Sequence, residues 1–287
     1  MRFISFTHEG RDSYGVLTGQ GICDLGARLG AWLPDLRSYL AAAEAGAVAA
    51  LPQVPQQADL ALADVTRLPP LPNPGKIICV GLNYEGHRLE TGRPKLTHPT
   101  LFARFADTLV ADGAPIIRPP ESADLDFEGE LAVVMGRGGR RVPAEAAATL
   151  VAGYSVFNDA SLRDFQNHTH QFMPGKNFTG TGAFGPDLVT SDEAPDLTDL
   201  VIETRLNGET VQKATLDELI FKIPELIAYI SAFTPLSAGD VIVTGTPGGV
   251  GFKRKPPLFM KPGDHVEVRI DQIGILGNDI KDEDIQA

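Results

Sequence analysis

Acidic residues fall at every second position, Asp124, Asp126, Glu128 and Glu130, in the stretch ADLDFEGELAVVMG, residues 123–136. In an extended chain successive side chains alternate faces, so this spacing predicts four carboxylates on one side with Leu125, Phe127 and Leu131 on the other. Neighbours on that face would lie roughly 6.6 Å apart, near enough for unscreened carboxylates to repel. The run continues into the apolar LAVVMG, which predicts a strand heading into a core. Two uses fit the pattern. The commoner is an amphipathic strand with a solvated acidic face. The other is a site for a hard, oxygen-seeking divalent cation, and it needs a further oxygen ligand from elsewhere in the chain.

Asp159 is the candidate for that ligand, because the apolar run YSVF ends at Asn158 and Asp159 before charged residues follow. Capping the segment ASLRDFQ as a helix is the more usual task of an aspartate in such a place. An acid–base pair is offered by GLNYEGHRLE, where His87 and Glu90 would share one face of a helix. A carboxylate beside an imidazole fixes its tautomer and raises its basicity, as activation of water near neutral pH requires. His168 and His170 in QNHTHQF lack a further Cys or His ligand nearby and are expected to be loop residues. Lys176, alone among Gly, Asn and Phe in PGKNF, is either a solvated charge or a cation directed at a developing enolate.

Two glycine-rich stretches bear on nucleotide binding. GTGAFG, residues 180–185, matches the dinucleotide fingerprint by letter but lacks the preceding strand and following helix which that chemistry demands. TGTPGGVG, residues 244–251, lacks the Lys and Ser/Thr of a phosphate loop. It is either a plain turn or a source of backbone and hydroxyl donors, Thr246 among them, facing a bound carboxylate.

The elements that must position these groups are short. MRFISF, YGVLT and ICDL predict a small antiparallel meander, followed by an Ala- and Leu-rich helix within residues 33–51. RLPPLPNPG, residues 67–75, reads as a linker, which divides the chain into a small amino-terminal α/β domain, residues 1–72, and a larger domain, residues 73–287. Beyond it KIICVG, HPTLFARF, DFEGELAVVMG, DVIVTG and DHVEVRID predict strands, VIETRLNGETVQ a hairpin about Asn207-Gly208, and IPELIAYISAF a helix. The fold class expected is α+β, mainly β.

With 43% hydrophobic and 22% charged residues among 287, the chain has enough apolar material for a sizeable core. A formal charge of -12 and the lack of a basic run argue against nucleic acid as a partner. No segment approaches the roughly 20 apolar residues of a membrane span, and the amino terminus lacks a basic region followed by a long apolar stretch, so a cytoplasmic protein is expected. Cys23 and Cys79 cannot form a disulfide framework and are given no role.

Taken in order, GLNYEGH, DFEGELAVVMG, GYSVFNDASLRDFQ, GKNF, NGETVQ and GDVIVTGTPGGVG resemble the fumarylacetoacetate hydrolase family across nearly all of residues 76–279. The resemblance implies a mixed β-roll catalytic domain behind a small amino-terminal domain, commonly paired as a homodimer. It implies that Glu128, Glu130 and Asp159 bind Mg2+ or Mn2+, with Asp124 and Asp126 left to the solvated strand. It further implies that His87 and Glu90 form a water-activating dyad on a lid, and that Arg163, Gln166, Lys176 and Thr246 line the substrate pocket. Two positions depart from the family pattern, Arg104 in place of a frequent Lys and Thr179 in place of a frequent Asp.

The function expected is hydrolytic carbon–carbon cleavage of a 2,4-dioxo, acylpyruvate-like acid, from sugar-acid or aromatic breakdown, to pyruvate and a carboxylic acid. His87 would activate water, and the metal with Lys176 would hold the pyruvate enolate. Decarboxylation or isomerisation of a 2-oxo acid on the same metal–enolate site is the alternative, and a dioxo-acid binding protein without turnover is the non-enzymatic one.

Overall fold

The computed structural model describes residues 1–53, 57–194 and 196–284. It is built mainly of strands. One large sheet runs in the order Gly21–Asp24, Arg11–Thr18, Arg2–His8, Gly182–Thr190, Val151–Asp159, Gly129–Met135, Val241–Val243, Ile77–Gly81 and Thr100–Arg104. A second sheet orders Glu209–Thr215, Val201–Leu206, His265–Ile270, Gly274–Asp282 and Ile116–Arg118. The expected meander, the hairpin about Asn207 and Gly208, and the helix Ile223–Phe233 are all present. Both turn residues of that hairpin have positive φ, 53° and 85°, as a tight two-residue connection requires.

The amino-terminal meander joins the large sheet through Phe3 opposite Leu188, so the strands before and after the proline-rich segment share one set of ladder bonds. The Ala-rich helix is shorter than its composition suggests. It spans Leu36–Glu44, starts at Asp35 through a reciprocal cap with Ser38, and stops before Gly46.

The run LAVVMG is continuous in apolar residues because its strand is covered on both faces. Leu131, Val133 and Met135 belong to the core shared with the second sheet, while Ala132 and Val134 pack in the core beneath Leu36–Glu44. The acidic stretch preceding it is not one strand. Leu125–Asp126 pairs with Ser161–Leu162 as a separate ribbon, and the chain breaks before Gly129–Met135 begins. The single acidic face expected from alternation therefore does not form. Asp126 is fully buried and does not lie on a solvated strand, which corrects its expected place beside Asp124.

Candidate active site

The site forms where the antiparallel pair Gly129–Met135 and Val151–Asp159 ends. Gly129 lies opposite Asn158, and the Asp159 N–H donates to the Glu128 carbonyl at 2.8 Å. Glu128, Glu130 and Asp159 thus meet at one end of the sheet, with a carboxylate oxygen from each within 4.8 Å of the others and all three side chains buried. Asp159 caps no helix; Ser161–Leu162 continues as strand before the short helix Arg163–Gln166.

Three cations are buried with these acids. Lys176 Nζ lies 2.7 Å from Glu128 Oε2 and 2.7 Å from Asp159 Oδ2. Arg163 binds Glu128 Oε1 at 2.6 Å, Asp126 Oδ2 at 2.8 Å and Gln166 Oε1 at 2.7 Å. Arg104 donates to Asp159 Oδ1, the Ala160 carbonyl and Thr181 Oγ1. Lys176 also sits 5.1 Å from the centre of the Phe102 ring, and Arg163 lies 4.4 Å over that of Phe252.

The acids respond oppositely to this surrounding. Burial alone would raise both glutamates, but Lys176 and Arg163 hold Glu128 well below the usual carboxylate range. Glu130 has no such partner. Burial, then the charges of Asp159 and Glu128, push it well above that range, against the opposing hydrogen bond from Gly245 N–H. A cluster of oxygen donors left with surplus negative charge is the donor set of a hard divalent cation, so these residues fit the metal expected from the sequence.

Across the cavity, the helix Glu85–Thr91 presents the acid–base pair. His87 Nδ1 lies 2.7 Å from Glu90 Oε1, and His87 is buried. The Gly245–Gly251 turn directs its N–H groups at the protein's own carboxylates: Gly245 at Glu130, Gly249 at Glu90 and Gly251 at Asp126. Gly245 and Gly249 have φ of 106° and 103°, and a Cβ on Gly249 would lie 2.3 Å from the Val211 carbonyl oxygen, so only glycine serves there. Thr246 accepts from Gln212 Nε2 at 2.8 Å, leaving its own hydroxyl proton to donate.

His87, Glu128, Glu130, Arg163, Gln166, Lys176 and Thr246 line one cavity of about 110 Å3, so seven of the nine residues singled out in the sequence border it directly. Glu90 and Asp159 stand behind it through His87 and Lys176. His168 and His170 are exposed, as expected of loop residues.

Sequence reasoning missed several supports. Asn83 ties the base of the His87 helix to the Thr244 carbonyl at 2.8 Å and to Phe221 N–H at 2.8 Å. Gln212 joins Gly129 N–H to Thr246. Asp126 holds Arg163 and the N–H groups of Gly251 and Phe252. Each is a buried polar side chain with several partners, which a single sequence marks only as a polar letter in an apolar run.

A mixed β-roll whose strand ends gather three carboxylates opposite a His–Glu pair defines the class of protein. The profile described as fumarylacetoacetate (FAA) hydrolase C-terminal matches residues 76–281, and the chain belongs to the fumarylacetoacetate hydrolase family. The chain is 40% identical over 251 residues to the Homo sapiens oxaloacetate tautomerase FAHD2A, mitochondrial, covering 87% of this chain and 78% of that one. Among solved structures it resembles a putative HpcE protein from Mycobacterium smegmatis, with 37% identity, a TM-score of 0.86, and coverage of 99% of this chain and 100% of that one. It also resembles maleylpyruvate hydrolase from Sphingobium sp. SYK-6 in complex with manganese (II) ion and pyruvate, at 28% identity and a TM-score of 0.78, over 99% of this chain and 100% of that one. The expectation of a cytoplasmic protein is corrected by the relatives, since the human protein and its Bos taurus and Rattus norvegicus counterparts are each named as mitochondrial. Family membership makes the protein an enzyme acting on oxo acids.

Proposed function

We propose that the protein tautomerises a small 2-oxo acid of the oxaloacetate type, with Glu128, Glu130 and Asp159 holding Mg2+ or Mn2+. The observation carrying this proposal is a cavity of about 110 Å3 with three carboxylates on one side and the His87–Glu90 pair on another. Sites for drug-sized ligands occupy roughly 300–1,000 Å3. A four-carbon acid suits the smaller space, and the names of relatives 40–42% identical to this chain support the same substrate type.

The metal held by Glu128, Glu130 and Asp159 would supply Lewis acidity that makes the C3 protons of a 2-oxo acid more acidic. His87 moves the proton. With Nδ1 engaged by Glu90, its Nε2 is the free nitrogen, able to take the proton from C3 of the keto form, or in the reverse sense to deliver one to C3 of the enol, while the proton on the 2-oxygen is gained from or lost to water. Lys176 keeps Glu128 ionised, pairs with Asp159, and adds positive charge beside the oxygen on which enolate charge develops. Arg163 is fixed by Asp126 and Gln166 before substrate arrives, and Thr246 supplies a hydroxyl donor.

Carbon–carbon hydrolysis of an acylpyruvate remains the second proposal, because the same dyad could activate water towards a 4-carbonyl. One assay pair separates the two. The enol absorbance of freshly dissolved oxaloacetate is followed with Mg2+ and protein, and a panel of acylpyruvates is assayed for pyruvate release. Accelerated enol decay without pyruvate release is expected; pyruvate release without accelerated decay would favour hydrolysis.

A further inference from the structure

With Glu130 deprotonated under a bound cation, Asp126, Glu128, Glu130 and Asp159 count four formal negative charges in the buried cluster, against three positive charges on Arg104, Arg163 and Lys176. The divalent cation would bring that sum to one positive charge, which a single substrate carboxylate balances. A second carboxylate must find its cation elsewhere, because Arg104, Arg163 and Lys176 are already matched by the acids of the cluster.

Two cations stand ready at the exposed rim. Arg93 follows Gly92, the left-handed cap of the His87 helix, and Lys253 ends the turn Gly251–Lys253. Both line the cavity and both are exposed. Among the described residues neither side chain makes an ion pair or hydrogen bond; Lys253 Nζ rests 4.9 Å from the centre of the Phe252 ring, and only the backbone of Arg93 is engaged, by Arg88. Further in, Arg163 Nη2 is a buried donor without a partner, although the rest of that guanidinium is held on acids and its side chain is 4% exposed. The cavity thus offers unpaired donors in its wall and at its rim.

We propose that Arg93 and Lys253 bind the remote carboxylate of a dianionic substrate, so that the enzyme selects 2-oxo dicarboxylic acids over 2-oxo monocarboxylic acids. This selectivity rests on the substrate type proposed above and adds the residues that read it. Arg93 stands on the segment carrying His87 and Lys253 on the turn facing it, so a dianion held by both also ties the two segments together. The second carboxylate is bonded to C3 but breaks and forms no bond in the tautomerisation, so its contacts act mainly on affinity.

The test is binding rather than turnover. Mg2+-loaded wild type and R93Q/K253Q are titrated with oxaloacetate and with pyruvate, which lacks the second carboxylate. The double variant is expected to lose about tenfold in oxaloacetate affinity, as two partly exposed charge contacts allow, while pyruvate affinity stays within twofold. An unchanged oxaloacetate affinity, or an equal loss for both ligands, would overturn the assignment. Both residues are exposed, so the variant folds as the wild type does. Wild type that prefers oxaloacetate through these residues yet fails to tautomerise it would leave this assignment standing and remove only the proposed activity.

Discussion

Glu90 Oε2 accepts a hydrogen bond from Gly249 N–H at 2.9 Å while its Oε1 holds His87 Nδ1 at 2.7 Å. One carboxylate therefore orients the His87 imidazole and fastens its helix to the turn opposite. Glu90→Gln should lower kcat by about 10–100-fold, the usual effect of altering the partner of a functional histidine. Glu90→Ala should also release the helix, read as faster hydrogen exchange over residues 85–92. A Glu90→Gln enzyme at full rate would contradict the assignment of His87.

The same contact has a pH dependence. Burial would raise the Glu90 carboxyl, but the hydrogen bonds from His87 and Gly249 outweigh it and hold the group below its ordinary value. A depressed acid contributes its stabilisation fully above the ordinary value and loses it as pH falls through the depressed one. Exchange over residues 85–92, corrected for intrinsic rates, should thus be flat from neutral pH down to the ordinary glutamate range and rise only below it. Release beginning near neutrality would count against the latch.

Asp124 and Asp126 separate in stability. Asp126 is fully buried and accepts from Arg163, Gly251 and Phe252, whereas Asp124 is only half-buried and has no ion pair among the described residues. Asp126→Ala should cost about 3–5 kcal/mol, because it leaves Arg163 short of a buried counter-charge. Asp124→Ala should stay within about 0.5 kcal/mol. Urea denaturation checks both, and equal losses would refute the distinction.

That distinction shows where the sequence was legible. Apolar periodicity and turn chemistry located the meander, the hairpin at Asn207-Gly208 and the helix Ile223–Phe233, because each depends on neighbours in sequence. The family resemblance brought Glu128, Glu130, Asp159 and the His87–Glu90 pair together, which spacing alone left open. Alternation misread Asp126, since the chain changes sheets between Asp126 and Gly129, and such a break is set by the ribbon with Ser161–Leu162 rather than by local pattern. Arg104 was visible as a departure, but its position against Asp159, 55 residues away in sequence, exists only in the fold.

Metal binding should raise stability and release protons. Glu130 is pushed well above its ordinary range by burial and by Asp159 and Glu128, so a cation that binds there displaces its proton. Calorimetry in buffers of different ionisation enthalpy should show net proton release on adding Mg2+ or Mn2+, and saturation at one hundred times Kd should add about 2.7 kcal/mol of stability. Glu130→Gln should abolish the proton release and weaken binding. Metal-independent stability in the wild type would contradict the cluster's assignment.

Proton transfer at C3 by His87 is the central claim, and deuterium incorporation there reports it directly. Oxaloacetate in D2O with Mg2+ is followed by proton NMR with wild type, with His87→Ala and with Mg2+ alone. The account predicts incorporation by the wild type at least about a hundredfold above the metal-only rate, the low end for a positioned acid–base group, with His87→Ala near that background. Incorporation by His87→Ala at the wild-type rate, or none above background by the wild type, would contradict it.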